Sequence, residues 1–326
     1  LSAHYKLIKD INLDVSPFNT GAGWTPIGNS SDRFRGSFDG NGFTIKNLYI
    51  NRASDYQGLF GRASGATIKN VGIIDCNITC RNYAVGILVG YFENLSVSNC
   101  YTSGKITGNG WIGGLIGRLE SGSVFNCYST AEVVGISTAG GLVGYFRRGA
   151  IYNSYSTGKV SGGGAGNLGG FVGYNSDGRA YNSFWDRNTS GQTRSDGGAG
   201  LNTEQMKDPQ TFIDAGWDKE VLDDGTPVWI LVQGEYPKLW FESTNAIIIQ
   251  SNGAIYTYQD NMWKLVSNSI SSLNKTMLLQ HNLTLKEIST TSSVICISGD
   301  KSPHHNIYKS IVDKRKMKDV KSIIVK

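Results

Sequence analysis

The sequence has few charged residues and no long apolar run. Charged residues make up 17% of the 326 residues. No stretch approaches 18 consecutive apolar residues, so the sequence encodes no transmembrane helix. Strong helix formers dominate no long window, whereas Gly, Ser, Asn, Thr, Tyr and Ile are frequent, which favours an all-β protein with many turns. Hydrophobic residues reach 39%, which suffices for a core and argues against disorder.

Signatures of catalysis and metal binding are also missing. The five cysteines form no CxxC pair, and the four histidines form no HExxH motif. No nucleophile elbow is present, and no Lys-Ser/Thr follows a glycine-rich segment as in a phosphate-binding loop. We therefore expect neither a metal nor a cofactor. The chain starts at Leu1 without Met or a signal peptide, so we expect a processed or truncated piece.

The 42 glycines are organised in a repeat with a period near 27 residues. Five Gly-hydrophobic-Gly segments end at the closing glycines Gly61, Gly90, Gly117, Gly144 and Gly173, which are 29, 27, 27 and 29 residues apart. An asparagine follows each of them after nine residues: Asn70, Asn99, Asn126, Asn153 and Asn182. The return interval is 18 or 20 residues, so only one half of the repeat tolerates insertions. This period suits one coil of a parallel β-helix. A degenerate sixth repeat, with Phe38 and Asn47 in the two slots, raises the prediction to about six coils.

The repeated asparagines predict a structural ladder along the solenoid. Asn tolerates left-handed backbone at a corner, and its amide can donate to one coil and accept from the next. Lys105, Glu132 and Lys159 share one offset and are predicted to form an outer charge ladder. Cys100 and Cys127 lie one coil apart, where two buried thiols are favoured over a disulfide.

The Gly-Leu-Val-Gly and Asn-Cys-Tyr repeat resembles the GLUG repeat of bacterial surface adhesins, which also occurs near the N-terminal part of some immunoglobulin A peptidases. The flanks agree, with Trp24–Gly28 and Phe34–Gly42 before the repeats and Phe184–Asp186 after them. Ile87 departs from the pattern, which has glycine there. The resemblance covers residues 4–241 and implies a right-handed parallel β-helix. It implies function only loosely, because the repeat is a scaffold.

We therefore predict two domains. The first is the β-helix over residues 1–241, with a helix over 203–215, begun by Thr203, at its C-terminal cap. The second is a small β-rich module of α+β type over residues 242–326. In it, Ser-Asn-Gly joins 246–250 to 254–258 as a hairpin, and further strands over 262–266 and 293–297 and a helix over 307–318 are expected.

The C-terminal module is similar to small β modules of phage tail appendages. It also holds most of the net charge, since residues 246–326 contain 11 Lys/Arg and 5 Asp/Glu. Its basic tail lacks the interleaved aromatic residues of a single-strand binding groove, which favours a solvated tail over a nucleic-acid site.

Candidate binding residues follow the closing glycines. Tyr91, Tyr145 and Tyr174 alternate there with Arg62 and Arg118. Arg147 and Arg148 add positive charge nearby. If these side chains face outward, the column can hold a sugar polymer or a protein partner. The alternative is that they only shield the sheet.

The acids predicted to face outward are Asp75, Glu93, Glu120, Glu132 and Asp177. We expect these acids to lie at unlike offsets from the closing glycines, so no paired-carboxylate column of the kind that a glycosidase needs is predicted.

We predict a non-catalytic surface-recognition, adhesion or structural protein that is extracellular, on a bacterial cell surface or in a phage virion. Its expected partner is a surface glycan or protein receptor, with other virion or cell-wall proteins contacted through residues 242–326. No nucleic acid or membrane span is expected, and homo-oligomerisation stays open. The alternative is a carbohydrate-active β-helix enzyme, either a polysaccharide lyase or a tailspike-like glycosidase.

Overall fold

The structure is a computed structural model that describes residues 1–163, 166–223 and 227–242, together with four strands further along the chain. The chain divides into two units, Leu1–Met206 and Lys207–Lys326, so residues 207–241 group with the C-terminal module.

The first unit is a parallel β-solenoid, which confirms the predicted fold class. Each strand pairs in parallel with the equivalent segment of the next coil, as in the series Ile68, Val97, Val124 and Ile151. The five regular repeats make about five turns. The degenerate sixth repeat adds Ser37–Asp39, Thr44–Lys46 and Tyr49–Arg52 to the same sheet.

Nineteen strands form the main sheet of this unit. They are His4–Lys6, Ile11–Asn12, Ser37–Asp39, Thr44–Lys46, Tyr49–Arg52, Phe60–Ser64, Thr67–Cys80, Val89–Glu93, Leu95–Gly108, Ile116–Leu119, Gly122–Phe125, Tyr128–Ser129, Glu132–Gly135, Val143–Tyr152, Tyr155–Ser156, Val160–Ser161, Val172–Tyr181, Phe184–Asp186 and Ala199–Leu201. A second parallel sheet contains Val85–Gly86, Trp111–Gly113, Thr138–Gly140 and Asn167–Gly169.

The core consists of apolar columns that run along the solenoid axis. One column contains the residue after the first glycine slot of each repeat, and its members are at most 2% exposed: Leu59, Leu88, Leu115, Leu142 and Phe171. Burying each such side chain contributes about 1.5–3 kcal/mol. Outside the core, the Lys105 ammonium lies 3.2 Å from the Glu132 carboxylate, as the shared offset predicts.

The repeated asparagines mark a corner of each coil. All five have φ between 46° and 55°, and Asn47 of the degenerate repeat has φ 60°. The Asn99 amide donates to Asn70 Oδ1 at 2.9 Å, and the Asn70 amide donates to Asp39 Oδ1 at 3.1 Å. The next position forms a second ladder, in which the Cys127 Sγ and Ser154 Oγ accept from backbone N–H groups of the preceding coil. Cys100 and Cys127 are buried free thiols.

The closing glycines are needed for close packing of the backbone. A Cβ atom on Gly117 would lie 2.4 Å from the Val85 nitrogen, and one on Gly144 would lie 2.6 Å from the Ile112 nitrogen. Neither glycine has a positive φ. The second glycine of the motif therefore allows adjacent coils to approach, and it does not make a left-handed corner.

Two short helices replace the single helix predicted over 203–215, and that prediction is wrong in this respect. Thr203–Met206 belongs to the first unit, and Pro209–Asp214 belongs to the second. Pro209 has no N–H to continue a helix, and Asp208 caps the second helix. Asn202 Oδ1, rather than Thr203, accepts the Gln205 N–H, while Thr203 Oγ1 donates to Asp186. A further helix, Arg187–Ser190, is capped by Asp186.

The second unit continues with the 3₁₀ helices Trp217–Lys219 and Trp240–Glu242, and with Trp229–Ile230 paired to Lys238–Leu239. The predicted hairpin is present, since Ala246–Gln250 pairs antiparallel with Ile255–Gln259. Met262–Ser267 and Val294–Ile297 complete a four-stranded sheet. The helix predicted over 307–318 and the basic tail lie outside the described residues.

Candidate functional site

One outward column follows the closing glycines along the solenoid. Arg62, Tyr91, Arg118, Tyr145 and Tyr174 are successive partners in the strand register. We call these five residues the Arg–Tyr strip. The structure thus brings five of the seven candidate binding residues into one continuous column.

Aromatic rings hold the two arginines of the strip. The Arg62 guanidinium lies 4.5 Å from the centroid of the Tyr91 ring. The Arg118 guanidinium lies 4.8 Å from the Tyr145 ring and 4.6 Å from the Trp111 ring. The side chains of Arg62 and Arg118 are only 16% and 19% exposed. These contacts are cation–π interactions that fix each guanidinium between rings.

The buried Glu120 side chain links Arg118 of the strip to Arg147 on the next coil. Its Oε2 accepts from Arg118 Nε at 2.9 Å and from Arg118 Nη2 at 2.6 Å, while Oε1 accepts from Arg147. Burial by itself would raise the pKa of Glu120, but the hydrogen bonds from Arg147 and Arg118 outweigh it, so the pKa lies below its ordinary value. Glu120 is therefore a carboxylate at neutral pH.

The positions of Glu93 and Glu120 contradict the prediction that the outward acids lie at unlike offsets from the closing glycines. Both residues follow a closing glycine by three positions, and the Glu120 N–H donates to Phe92 O at 2.8 Å, so they lie on adjacent coils. Glu93 pairs with Arg33 at 3.2 Å and with Arg62 at 3.8 Å. Two acids can share one column because arginines neutralise both.

Glu120 does not have the protonation state of a glycosidase general acid. The general acid of a glycosidase has a raised pKa and carries a proton at neutral pH. Glu120 has a lowered pKa, and both of its oxygens accept hydrogen bonds from arginines. Chemically, the strip can offer fixed aromatic rings and guanidinium groups to a binding partner.

The strip becomes accessible at its C-terminal end. Tyr174 is 39% exposed, and its ring centroid lies 5.3 Å from that of Tyr145. The Arg147 side chain is 50% exposed. Arg148 is exposed, and its partner in the strand register is Asp177. These residues form the part of the site that a large ligand can reach.

Sequence reasoning missed Trp111, which contacts Arg118 and also Tyr145, at 5.2 Å between ring centroids. Trp111 lies six residues before the closing glycine Gly117, and its register partner Thr138 lies six residues before Gly144, so the spacing gives its position in the coil but no repeated aromatic residue marks it. Glu93 and Glu120, in contrast, were detectable from their shared spacing to a closing glycine.

Three comparisons place the chain among known proteins. Residues 108–134 match the model of the GLUG motif, which confirms the predicted resemblance for that repeat. Halomucin from Haloquadratum walsbyi is 39% identical over 113 residues, a match that covers 32% of this chain and 1% of halomucin. A protein named as a candidate Gly-rich membrane protein from Evansella cellulosilytica is 35% identical over 102 residues, covering 29% of this chain and 12% of that protein.

Among solved structures, the chain is similar to a candidate immunoglobulin A1 protease from Bacteroides ovatus. The two are 17% identical with a TM-score of 0.49, and the match covers 74% of this chain and 87% of the other. None of these matches supports the phage-appendage resemblance of residues 242–326. In the part of the chain that the structure describes, no helix has the length and apolar character to cross a membrane.

Proposed function

We propose that this chain is a non-catalytic recognition protein of the outer cell surface. The β-solenoid is its rigid scaffold, and the exposed end of the Arg–Tyr strip contacts an anionic surface glycan. The observation that carries this proposal is the strand register of the strip, which stacks guanidinium and aromatic groups in one column.

The strip is organised before any partner arrives. The arginines are already held between rings and by carboxylates, so binding costs little side-chain entropy. Exposed aromatic and arginine side chains are the types that contribute most to recognition surfaces. Tyr174 offers a ring on which a sugar can pack, and the exposed Arg147 and Arg148 lie on the preceding coil.

The charge of the site favours an acidic partner. Five arginines and four acids belong to the strip and its neighbours, which leaves a net charge of +1. The members are Arg33, Arg62, Arg118, Arg147, Arg148, Glu93, Glu120, Asp177 and Asp196. A guanidinium pairs well with the carboxylate or sulfate groups of an acidic polysaccharide.

A binding role also agrees with the state of the acids. The Glu120 carboxylate accepts hydrogen bonds from Arg118 and Arg147. The Glu93 carboxylate forms ion pairs with Arg33 and Arg62, so both acids orient arginine side chains. The names of the relatives, a halomucin and a candidate Gly-rich membrane protein, support an outer-surface location.

Binding to immobilised polygalacturonate and hyaluronate tests the proposal. We expect binding that weakens as salt is raised, because exposed charges are screened. Replacing both Tyr174 and Arg148 by Ala should weaken it about tenfold or more, because an aromatic contact and an ion pair are lost together. Arg35→Ala, which removes an exposed arginine outside the strip, is the matched control and should bind like the unmodified chain.

Three results would contradict the proposal. The first is equal binding by the double variant and the unmodified chain, and the second is no binding of either polymer. The third is the appearance of shortened polysaccharide that disappears in Glu120→Gln, which would establish a carbohydrate-active enzyme instead.

A further inference from the structure

A second outward column, seven residues beyond the Arg–Tyr strip on each coil, holds a stack of aromatic rings. Phe125, Tyr152 and Tyr181 are successive partners in the strand register. Their ring centroids are 5.0 Å apart at both steps, with interplanar angles of 5° and 12°. The rings therefore stack face to face along the solenoid axis.

The stack stops at Ser98. Ser98 is the register partner of Phe125 on the preceding coil, and its side chain is too short to cover the ring. The exposures agree, because Phe125 and Tyr181 at the two ends are 36% and 40% exposed, whereas Tyr152 between them is half-buried. One face of the Phe125 ring is thus open towards Ser98.

Beyond Ser98, the column continues with Lys69 and Asp39. The Lys69 ammonium lies 3.7 Å from Asp39 Oδ2, so the side chain leans away from Ser98. The gap between Phe125 and Lys69 spans two strand spacings, or about 10 Å. That distance accommodates one ring at stacking distance from Phe125, in the position that a longer side chain at 98 would occupy.

A concavity adjoins the gap on the side of Lys69. It has a volume of about 270 Å³, and its lining includes His4, Lys6, Asp39, Thr67 and Lys69. Hydroxyl, carboxylate and imidazole groups there can donate to and accept from a polyhydroxylated ligand. The concavity and the Phe125 face therefore form a continuous track along the outer face of the sheet.

We propose that this track binds a neutral glycan, with one pyranose ring in the gap stacked on Phe125 and the following sugars over the concavity. The apolar C–H face of a pyranose packs on an aromatic ring, and its edge hydroxyls can reach Ser98 and Thr67. Asp39 pairs with Lys69, which leaves Lys6 as an exposed charge of the lining, so the Phe125 ring face and the hydroxyl groups supply the contacts that select a sugar. This site is separate from the Arg–Tyr strip and takes a different class of sugar.

The test measures binding of cellohexaose, laminarihexaose, mannohexaose and xylohexaose to the full chain by isothermal titration calorimetry. Ser98→Tyr should abolish binding, because the new ring continues the stack and fills the gap. Ala150→Tyr is the matched control, since it adds the same ring to the same face but two coils beyond Ser98. It should bind like the unmodified chain. Phe125→Leu keeps an apolar side chain, removes the ring face, and should weaken binding about tenfold or more.

Thermal unfolding of each variant keeps the result interpretable. Ser98→Tyr should unfold at or above the temperature of the unmodified chain, because the stack becomes longer. Binding of none of the four hexasaccharides, or equal binding by Ser98→Tyr and the unmodified chain, would overturn the proposal. A dimer in sedimentation analysis that Ser98→Tyr disrupts would also overturn it, because a second copy of the chain would then fill the gap. None of these outcomes depends on binding of acidic polymers by the Arg–Tyr strip.

Discussion

The asparagine corner makes two separable contributions to stability, and Asn99 allows both to be measured. Its φ is 53°, and its side chain is only 8% exposed. Its amide donates to Asn70 Oδ1 at 2.9 Å. Asn99→Gly removes the hydrogen bond but suits a left-handed backbone, whereas Asn99→Ala removes the bond and keeps a Cβ at a positive φ without the amide that makes Asn tolerant of that conformation.

The magnitudes follow from these two terms. Leaving the Asn70 oxygen without its donor costs about 1–2 kcal/mol, so we expect Asn99→Gly to lower the free energy of unfolding by that amount. Ala in the left-handed region costs roughly 1–2 kcal/mol more than Gly, so Asn99→Ala should lose about 2–4 kcal/mol. Asn51 is exposed in a regular strand without a positive φ, and Asn51→Ala should change stability by at most about 0.5 kcal/mol.

Urea unfolding followed by far-UV circular dichroism measures these differences, provided that the m-value is unchanged between variants. Equal losses for Asn99→Gly and Asn99→Ala would refute the role of backbone conformation. Losses no larger than that of Asn51→Ala would refute the role of the side-chain ladder.

Three further predictions concern other columns of the solenoid. Because the pKa of folded Glu120 lies below its ordinary value of 4.5, its carboxylate stabilises the fold above that pH, and the stabilisation is lost as the pH falls through the lowered pKa. The difference in Tm between the unmodified chain and Glu120→Gln should therefore be largest near neutral pH and vanish in acid, and a difference that grows in acid would contradict this. Cys127→Ser keeps an acceptor for the Cys100 N–H and should cost under about 1 kcal/mol, whereas Cys127→Val leaves that N–H unpaired and should cost about 1–3 kcal/mol in urea unfolding; equal losses would show that the thiol acts only by its volume. Gly117→Ala should lower the free energy of unfolding by at least about 1–3 kcal/mol, because its Cβ would lie 2.4 Å from a backbone nitrogen. The Cβ of Gly163→Ala would meet nothing within 4 Å, so this control should be neutral. A neutral Gly117→Ala would show that the coils can separate.

The repeat made much of the fold predictable. The constant nine residues between closing glycine and asparagine fixed which positions stack, because parallel coils of equal length align residues of equal offset. The same rule predicted the pairing of Lys105 with Glu132 and the column of the Arg–Tyr strip. The same rule places Glu93 and Glu120 in one column, because each follows a closing glycine by three residues.

Positions outside the constant half were harder to predict. Trp111 contacts Arg118 and Tyr145, but its register partner on the next coil is Thr138, so no repeated residue type at this offset indicates an aromatic contact. The helix predicted over 203–215 failed for a local reason, since Pro209 and its cap Asp208 start a second helix.

The sequence by itself determined the coil, its period, the left-handed asparagine corner and the identity of the stacked residues, because all of these follow from spacing along the chain. Only the tertiary structure decided which stacked groups neutralise one another and which remain open. The arginines beside Glu120 and the uncovered face of Phe125 show this difference. Side-chain direction and mutual shielding depend on neighbours on the adjacent coils, and spacing along the chain specifies the position of a side chain but not what covers it.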